Sequence, residues 1–426
     1  MVTRNLAKRA GTVRDRLASY EVVLLISGIW FLVQGLRYLF PPLFDTFQTT
    51  YGVSNTETGL LFTALLVGYS IVQFPAGTLA DRFSEAKMIA AGAAGFAVAA
   101  LIAASAPTFP TLAGSAVLIG LTTGIHKTVA IPYLSRTYAE RKGFAIGVMD
   151  TIGQFGGAAA PLFVAVILVS ALPWNVAFLT GAAVSAVFAG LFYVRVVRRE
   201  DPAGIVDDDG DDGDGQDVEN DDVQGVENDE GVDVEDDEDV SYREIFFNTK
   251  FLLFVLIVMA YTFAWNGFTS FLPLFLIDAK PLADETASLV YSLLFVASLT
   301  QTATGWISDR LSQVNIMLSL LSVIVVGLTL ILFVDGVWAL GGLTLMIGIG
   351  FHGFRPVRDA HLMELIPESI RGGTFGIVRT LMTAVGAIGP AAVGYISDVS
   401  GYIAAFSFLS AVLAGSVVLI IVMRSV

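Results

Sequence analysis

The stretches Gly77-Thr-Leu-Ala-Asp81-Arg82-Phe-Ser84 and Gly305-Trp-Ile-Ser-Asp309-Arg310-Leu-Ser312 are one pattern written twice, 228 residues apart. The agreement extends outward from both copies. At the same shift Gln73 falls on Gln301, Gly120 on Gly348 and Lys127 on Arg355. At a shift of 229, Gly147 meets Gly376, Asp150 meets Arg379, Thr151 meets Thr380 and Pro161 meets Pro390. Chance alignment of apolar runs would not bring charged loops into register as well. The chain therefore reads as an internal repeat, two copies of one unit in the same orientation.

What lies between these marks is apolar. Of 426 residues, 55% are hydrophobic and 15% charged, and the mean hydropathy is +0.72. A membrane crossing needs about 20 apolar residues. Runs of that length recur at 21–44, 56–80, 88–106, 111–135, 144–169 and 174–196, then at 249–277, 286–308, 314–334, 337–363, 373–397 and 402–423. The expected fold is an all-α polytopic membrane protein. Its twelve transmembrane helices form two pseudo-symmetric six-helix bundles. The division is a cytoplasmic N-terminal tail 1–20, an N-terminal bundle 21–199, a linker 200–247 and a C-terminal bundle 248–426.

Lys and Arg fix the orientation. One side of this topology collects the basic tail, Arg82, Lys87, Arg136, Arg141, Lys142, Arg195, Arg198, Arg199, Arg310 and Arg424, and the other only Lys280. Both termini are expected in the cytoplasm of a multi-pass plasma-membrane protein. The N-terminal stretch has no small-residue cleavage site, so the first span reads as an uncleaved insertion signal.

The formal charge of −15 belongs to one loop. Residues 207–239 hold 19 acids and no Lys or Arg, leaving 20 acids against 24 bases elsewhere, or +4. That composition is of a solvated, disordered linker. With Lys scarce (6 against 18 Arg), it suits a salt-loving source, a halophilic archaeon. No cysteine is present, which excludes disulfides and thiolate metal sites. The three histidines do not have the spacing of a helical zinc motif, so no metal and no cofactor is expected. No GxxxxGK[ST] loop is present, so ATP does not drive this chain directly. No nucleophile–base pair marks an enzyme.

The stretch Gly77 to Lys87 resembles the signature loop of the major facilitator superfamily. Ser84 stands where that family carries a second glycine, and Lys87 alone remains of its basic pair. The copy at Gly305, Asp309 and Arg310 lacks the trailing bases. The fifth span resembles the family's glycine-rich helix in Gly147, Gly153, Gly156, Gly157 and Pro161, with Gly386 and Pro390 as counterparts in the eleventh. The resemblance implies that Asp81 braces the eleventh span and Asp309 the fifth when the outer face is open. Arg82 and Arg310 are then placed to pair with neighbouring acids. It also implies that spans 1, 4, 7 and 10 line a central cavity.

An ionisable group deep in a membrane is a functional candidate by default. Arg37, Lys127 and Arg355 lie well inside spans 1, 4 and 10, while span 7 offers Tyr261, Trp265 and Asn266. Three cations with no acid at the same depth make a site for an anion. Asp150, His126 and His352 are the candidates for proton coupling. The expected function is secondary active transport of a small solute, an organic anion, by alternating access with proton or sodium coupling. A drug or metabolite exporter is the alternative, and a non-transporting receptor a more distant one. The expected partners are the substrate, a coupling ion and the lipid bilayer, with no nucleic acid, and the expected state is a monomer.

Overall fold

A computed structural model describes residues 2–200, 245–367 and 370–425, apart from the side chains of 2–19, Phe74, Asp81 and 371–373. The acidic run 207–239 lies outside the described residues, as does the Asp81 carboxylate. Twelve long helices account for nearly all the rest. They are α1 (Val2–Leu39), α2 (Asn55–Phe83), α3 (Glu85–Ala104), α4 (Phe109–Thr137), α5 (Lys142–Val169) and α6 (Asn175–Phe192). Then come α7 (Thr249–Leu274), α8 (Asp284–Ser308), α9 (Gln313–Leu330), α10 (Val337–Leu365), α11 (371–400) and α12 (402–425). Among the described residues, ten segments are long and apolar enough to cross a membrane. One of these ten turns at Gly401 into α11 and α12, and α2 completes the twelve.

The breaks between helices have local causes. After α1, Pro41 and Pro42 open a 3-10 turn, and a short helix Phe44–Tyr51 then ends at Gly52, whose φ of +67° is left-handed. A capping box of Ser54 and Glu57 starts α2. Asn248 caps α7 by accepting from the backbone N–H groups of Lys250 (2.9 Å) and Phe251 (3.3 Å). One residue, Ser84, joins α2 to α3 with φ +73°. That left-handed value explains why a glycine is the expected occupant there.

Large apolar side chains cover much of the surface, Trp338 at 93% exposure and Phe333 at 77% among them. In water such a surface would be unfavourable, and in a bilayer it is the solvated one. Between helices, small residues permit close approach. A Cβ on Gly120 would overlap the Leu65 carbonyl oxygen of α2, and one on Gly348 would lie 2.8 Å from the Leu294 carbonyl oxygen of α8. The repeat seen in the sequence is thus a repeated helix contact.

Candidate functional site

The two halves meet firmly at the end of the molecule that carries Lys280, the base-poor end. There Asp398, at the end of α11, faces the start of α2. Its carboxylate accepts hydrogen bonds from the backbone N–H groups of Asn55 (3.1 Å) and Thr56 (2.7 Å) and from the Thr56 hydroxyl (2.5 Å). Tyr402 donates to the Asn55 side-chain oxygen (2.6 Å), and the Ala391 N–H donates to Thr63 Oγ1 (3.2 Å). The Pro390 carbonyl packs on Gly59 so tightly that a Cβ there would lie within 2.5 Å. Beneath this contact is an aromatic plug, in which Phe44 of the first half lies 5.7 Å from Phe271 of the second and Tyr38 4.3 Å from Phe295.

From that plug a cavity of ≈ 410 Å³ extends toward the base-rich end, past Arg358, Asp359 and Leu362. It joins a side opening of ≈ 780 Å³ between α2, α4 and α11, with Lys127, Arg379 and Thr383 on both. The helices that touch at Gly59 and Pro390 are therefore apart by Ile71 and Thr380. The molecule is closed at one end and open at the other.

Among the described residues, five cations line the cavity, Arg37, Lys127, Arg355, Arg358 and Arg379, against two acids, Asp150 and Asp359. The excess is three positive charges. The acids are taken: Lys127 Nζ lies 2.9 Å from Asp150 Oδ1, and Arg358 lies 2.7 Å from its neighbour Asp359. The expectation of three unpaired cations is corrected here, because Lys127 has an acid at its own depth. Among the described residues, no acid lies within ion-pairing distance of Arg37, Arg355 or Arg379. Aromatic rings partly replace a counter-ion. The Arg37 guanidinium lies 5.3 Å from the Tyr69 ring centre and that of Arg355 4.6 Å from Trp265. Such contacts are worth about 0.5–2 kcal/mol, well below the cost of roughly 2.5–3.5 kcal/mol for a central charge. The Arg37 Nε is buried without a hydrogen-bond partner.

Trp265 and Asn266 line the cavity as expected, and Tyr261 does not. Tyr261 turns into the α7–α10 interface, donating to the Phe351 carbonyl (2.5 Å) and stacking on Phe354 at 4.5 Å. The two histidines sit behind the cavity wall. His126 stacks on Trp30 (5.9 Å between ring centres), whose ring also lies 5.2 Å from Lys127 Nζ. His352 is edge-on to Trp265 at 5.1 Å, with its Nδ1 3.2 Å from the Gln301 amide nitrogen. Each half therefore holds a tryptophan between a buried histidine and a cavity cation. Asp150 is the one coupling candidate with a carboxylate on the cavity. Gln34, Tyr69, Gln154, Thr262 and Gln301 also line it and were not singled out from sequence. For Gln301 a signal existed, since it repeats Gln73 of the side opening.

The packing glycines divide. A Cβ on Gly153 would overlap the Trp30 ring, one on Gly157 would lie 2.8 Å from Phe295, and one on Gly386 2.5 Å from Thr262. Gly147 meets nothing within 4 Å, so its expected packing role has no contact in this arrangement. Pro161 is buried within α5. In the signature loops, a Cβ on Gly77 would lie 4.0 Å from Thr128 and one on Gly305 3.7 Å from Pro356, the same neighbour in both halves. Asp309 and Arg82 are exposed. Arg310 stacks on its own Trp306 at 3.6 Å instead of pairing with an acid, since one helical turn brings that ring within reach.

Twelve helices in a duplicated arrangement around a central charged cavity define a polytopic membrane carrier. The sequence profile of the Major Facilitator Superfamily matches residues 26–299 and 281–426, and the chain belongs to that superfamily, one of transporters and not of enzymes. The chain is 33% identical over 143 residues to a probable sulfoacetate transporter of Cupriavidus necator, 32% of this chain and 31% of that one. It is 21% identical over 367 residues to the hexuronate transporter of Bacillus subtilis, 83% of this chain and 82% of that one. The matches to the first of the curated relatives span less than half of those proteins' length. Among solved structures, a bacterial homologue of the human lysosomal transporter Spinster superposes with a TM-score of 0.70 at 14% identity, over 96% of each chain.

Proposed function

We propose that the protein is a secondary transporter that moves a small organic anion across the plasma membrane by alternating access, as a monomer. The observation that carries this reading is the excess of three cations on the cavity with Arg37, Arg355 and Arg379 unmatched by any described acid. An anion there lowers the energy of those charges and bridges the halves. That gives it different affinity for open and closed forms, which a ligand needs in order to drive a conformational change. The base-rich end is taken as cytoplasmic by the distribution of Lys and Arg, with both termini and the linker on that side. The open cavity then faces the cytoplasm. Sulfoacetate and hexuronate, the substrates in the names of two relatives, are organic anions. Asp150, held by Lys127, is the candidate site of proton coupling.

Uptake into proteoliposomes of glucuronate, sulfoacetate, sulfate and lipophilic dyes, with and without a pH gradient, tests the reading. Anion uptake and at least tenfold weaker anion binding in Arg37→Gln are expected. Transport of lipophilic cations alone would overturn it. A second reading, export of drug-like or amphiphilic metabolites, is favoured by the side opening, whose walls carry Val67, Ile71, Ile131, Pro132, Ala384 and Ala387. In that case dyes and not sulfate compete for the cavity.

A further inference from the structure

The duplication sets two equivalent pairs of positions on the cavity and fills them with opposite chemistry. In the first half, Lys127 lies ten residues before the end of α4 and Asp150 eight residues after the start of α5. In the second, Arg355 lies ten residues before the end of α10 and Arg379 eight residues after the start of α11. The shifts of 228 and 229 align them. At 1.5 Å per residue, members of each pair sit within about 3 Å of the same depth. The first pair closes on itself as a 2.9 Å ion pair. The second pair is two arginines, and both line the same cavity.

The acid one turn along α10 does not serve them. Asp359 follows Arg355 by one helical turn, yet it is bound to Arg358 through both the Nε and a terminal nitrogen at 2.7 Å. The wall beside Arg355 offers the Trp265 ring and the amides of Asn266 and Gln301. These are hydrogen-bonding and aromatic partners without charge.

We propose that the anionic group of the substrate seats between Arg355 and Arg379, in the place that the Asp150 carboxylate fills in the other half. The ligand is thus one carboxylate- or sulfonate-sized oxyanion, which two guanidinium groups bind through parallel N–H donors. Arg379, which sequence reading left outside the site, is a substrate-binding residue. Lys127 is withdrawn from direct binding by its own acid, and Arg37 receives the far end of the substrate from the first half. This seat rests on the anion reading above and narrows it.

The test is binding of glucuronate, sulfoacetate and sulfate to the purified full chain by calorimetry. Arg379→Asp places an acid where Asp150 has its counterpart. It should pair with Arg355, keep the thermal midpoint at or above that of the parent, and weaken binding of every anion the parent binds by at least tenfold. Arg379→Ala should weaken it by a similar factor, which guards against a folding defect in the first variant. Asp150→Asn, by releasing Lys127, should strengthen binding by severalfold. If the parent binds anions and Arg37→Gln weakens them while both Arg379 variants bind within twofold of the parent, the seat is wrong and the anion reading stands. Equal loss in Asp150→Asn and Arg379→Asp would refute the opposition of the two halves. A parent that binds none of the three anions refutes the anion reading, and the seat with it.

Discussion

Replacing Asp398 by Asn should open the closed end. The carboxylate accepts two backbone N–H bonds at 3.1 and 2.7 Å and one hydroxyl bond at 2.5 Å, all from the first turn of α2. It therefore sits on the positive end of a 29-residue helix from the other half. A hydrogen bond to a charged group contributes roughly 1.5–3 kcal/mol when shielded, and a charge at an exposed helix terminus about 0.3–1 kcal/mol. Asp398 is exposed, so solvent screening takes most of the larger figure. The amide of Asn keeps one acceptor and loses the charge. A shift of about 0.5–1.5 kcal/mol is expected, or about twofold to twelvefold in the ratio of the two end-states. The native chain has no cysteine, so spin labels at Thr50→Cys and Ser400→Cys, one in each half, report this end without background. Their distance distribution should gain a longer component in Asp398→Asn, and anion binding to the cavity should remain. An unchanged distribution would show that the contact follows closure and does not stabilise it.

Gly156 and Gly147 should respond oppositely to Ala: a Cβ on Gly156 overlaps the Phe31 backbone while Gly147 has open space, so Gly156→Ala should cost about 1–3 kcal/mol, seen as a lower thermal midpoint, and Gly147→Ala should leave it unchanged. Deleting 207–239 should leave insertion and anion binding intact, because a composition of 19 acids without bases is unsuited to forming a packed core; loss of binding in a correctly inserted deletion would assign the segment a specific role. Protease added outside sealed right-side-out vesicles should spare 200–247, and cleavage there would reverse the orientation.

The helices were legible because a bilayer imposes a length. The spans read at 144–169 and 337–363 are the helices Lys142–Val169 and Val337–Leu365. The cavity was legible where charge marked it and illegible where a helix is buried on all sides. Most of α7 is buried along its second half, so no polar stripe distinguishes the face of Tyr261 from that of Asn266. The Lys127–Asp150 pair was missed for a simpler reason. Depths counted from each helix's start, 18 residues for one and eight for the other, look unequal. The two helices are antiparallel, and counted from their shared end the depths are ten and eight. The closed end could not be read at all, because Asp398 and Asn55 are 343 residues apart and lie outside the repeated marks.

The same charges bear on how the cycle turns. Alternating access passes through a form closed at both ends, in which the cavity loses its contact with bulk water. An empty cavity would then enclose three cations that no described acid offsets. At roughly 2.5–3.5 kcal/mol for one central charge, an anion that neutralises one of them lowers that form by enough to speed its crossing about 70-fold or more. Return of the empty carrier should therefore be the slow step. Proteoliposomes loaded with a labelled anion should release it about two orders of magnitude faster into unlabelled anion than into buffer without it. Arg379→Ala, with one cation fewer to enclose, should narrow that ratio even as its affinity falls. Equal release rates in the two solutions would show that the empty cavity closes without hindrance, and that its excess charge is balanced by something other than the substrate.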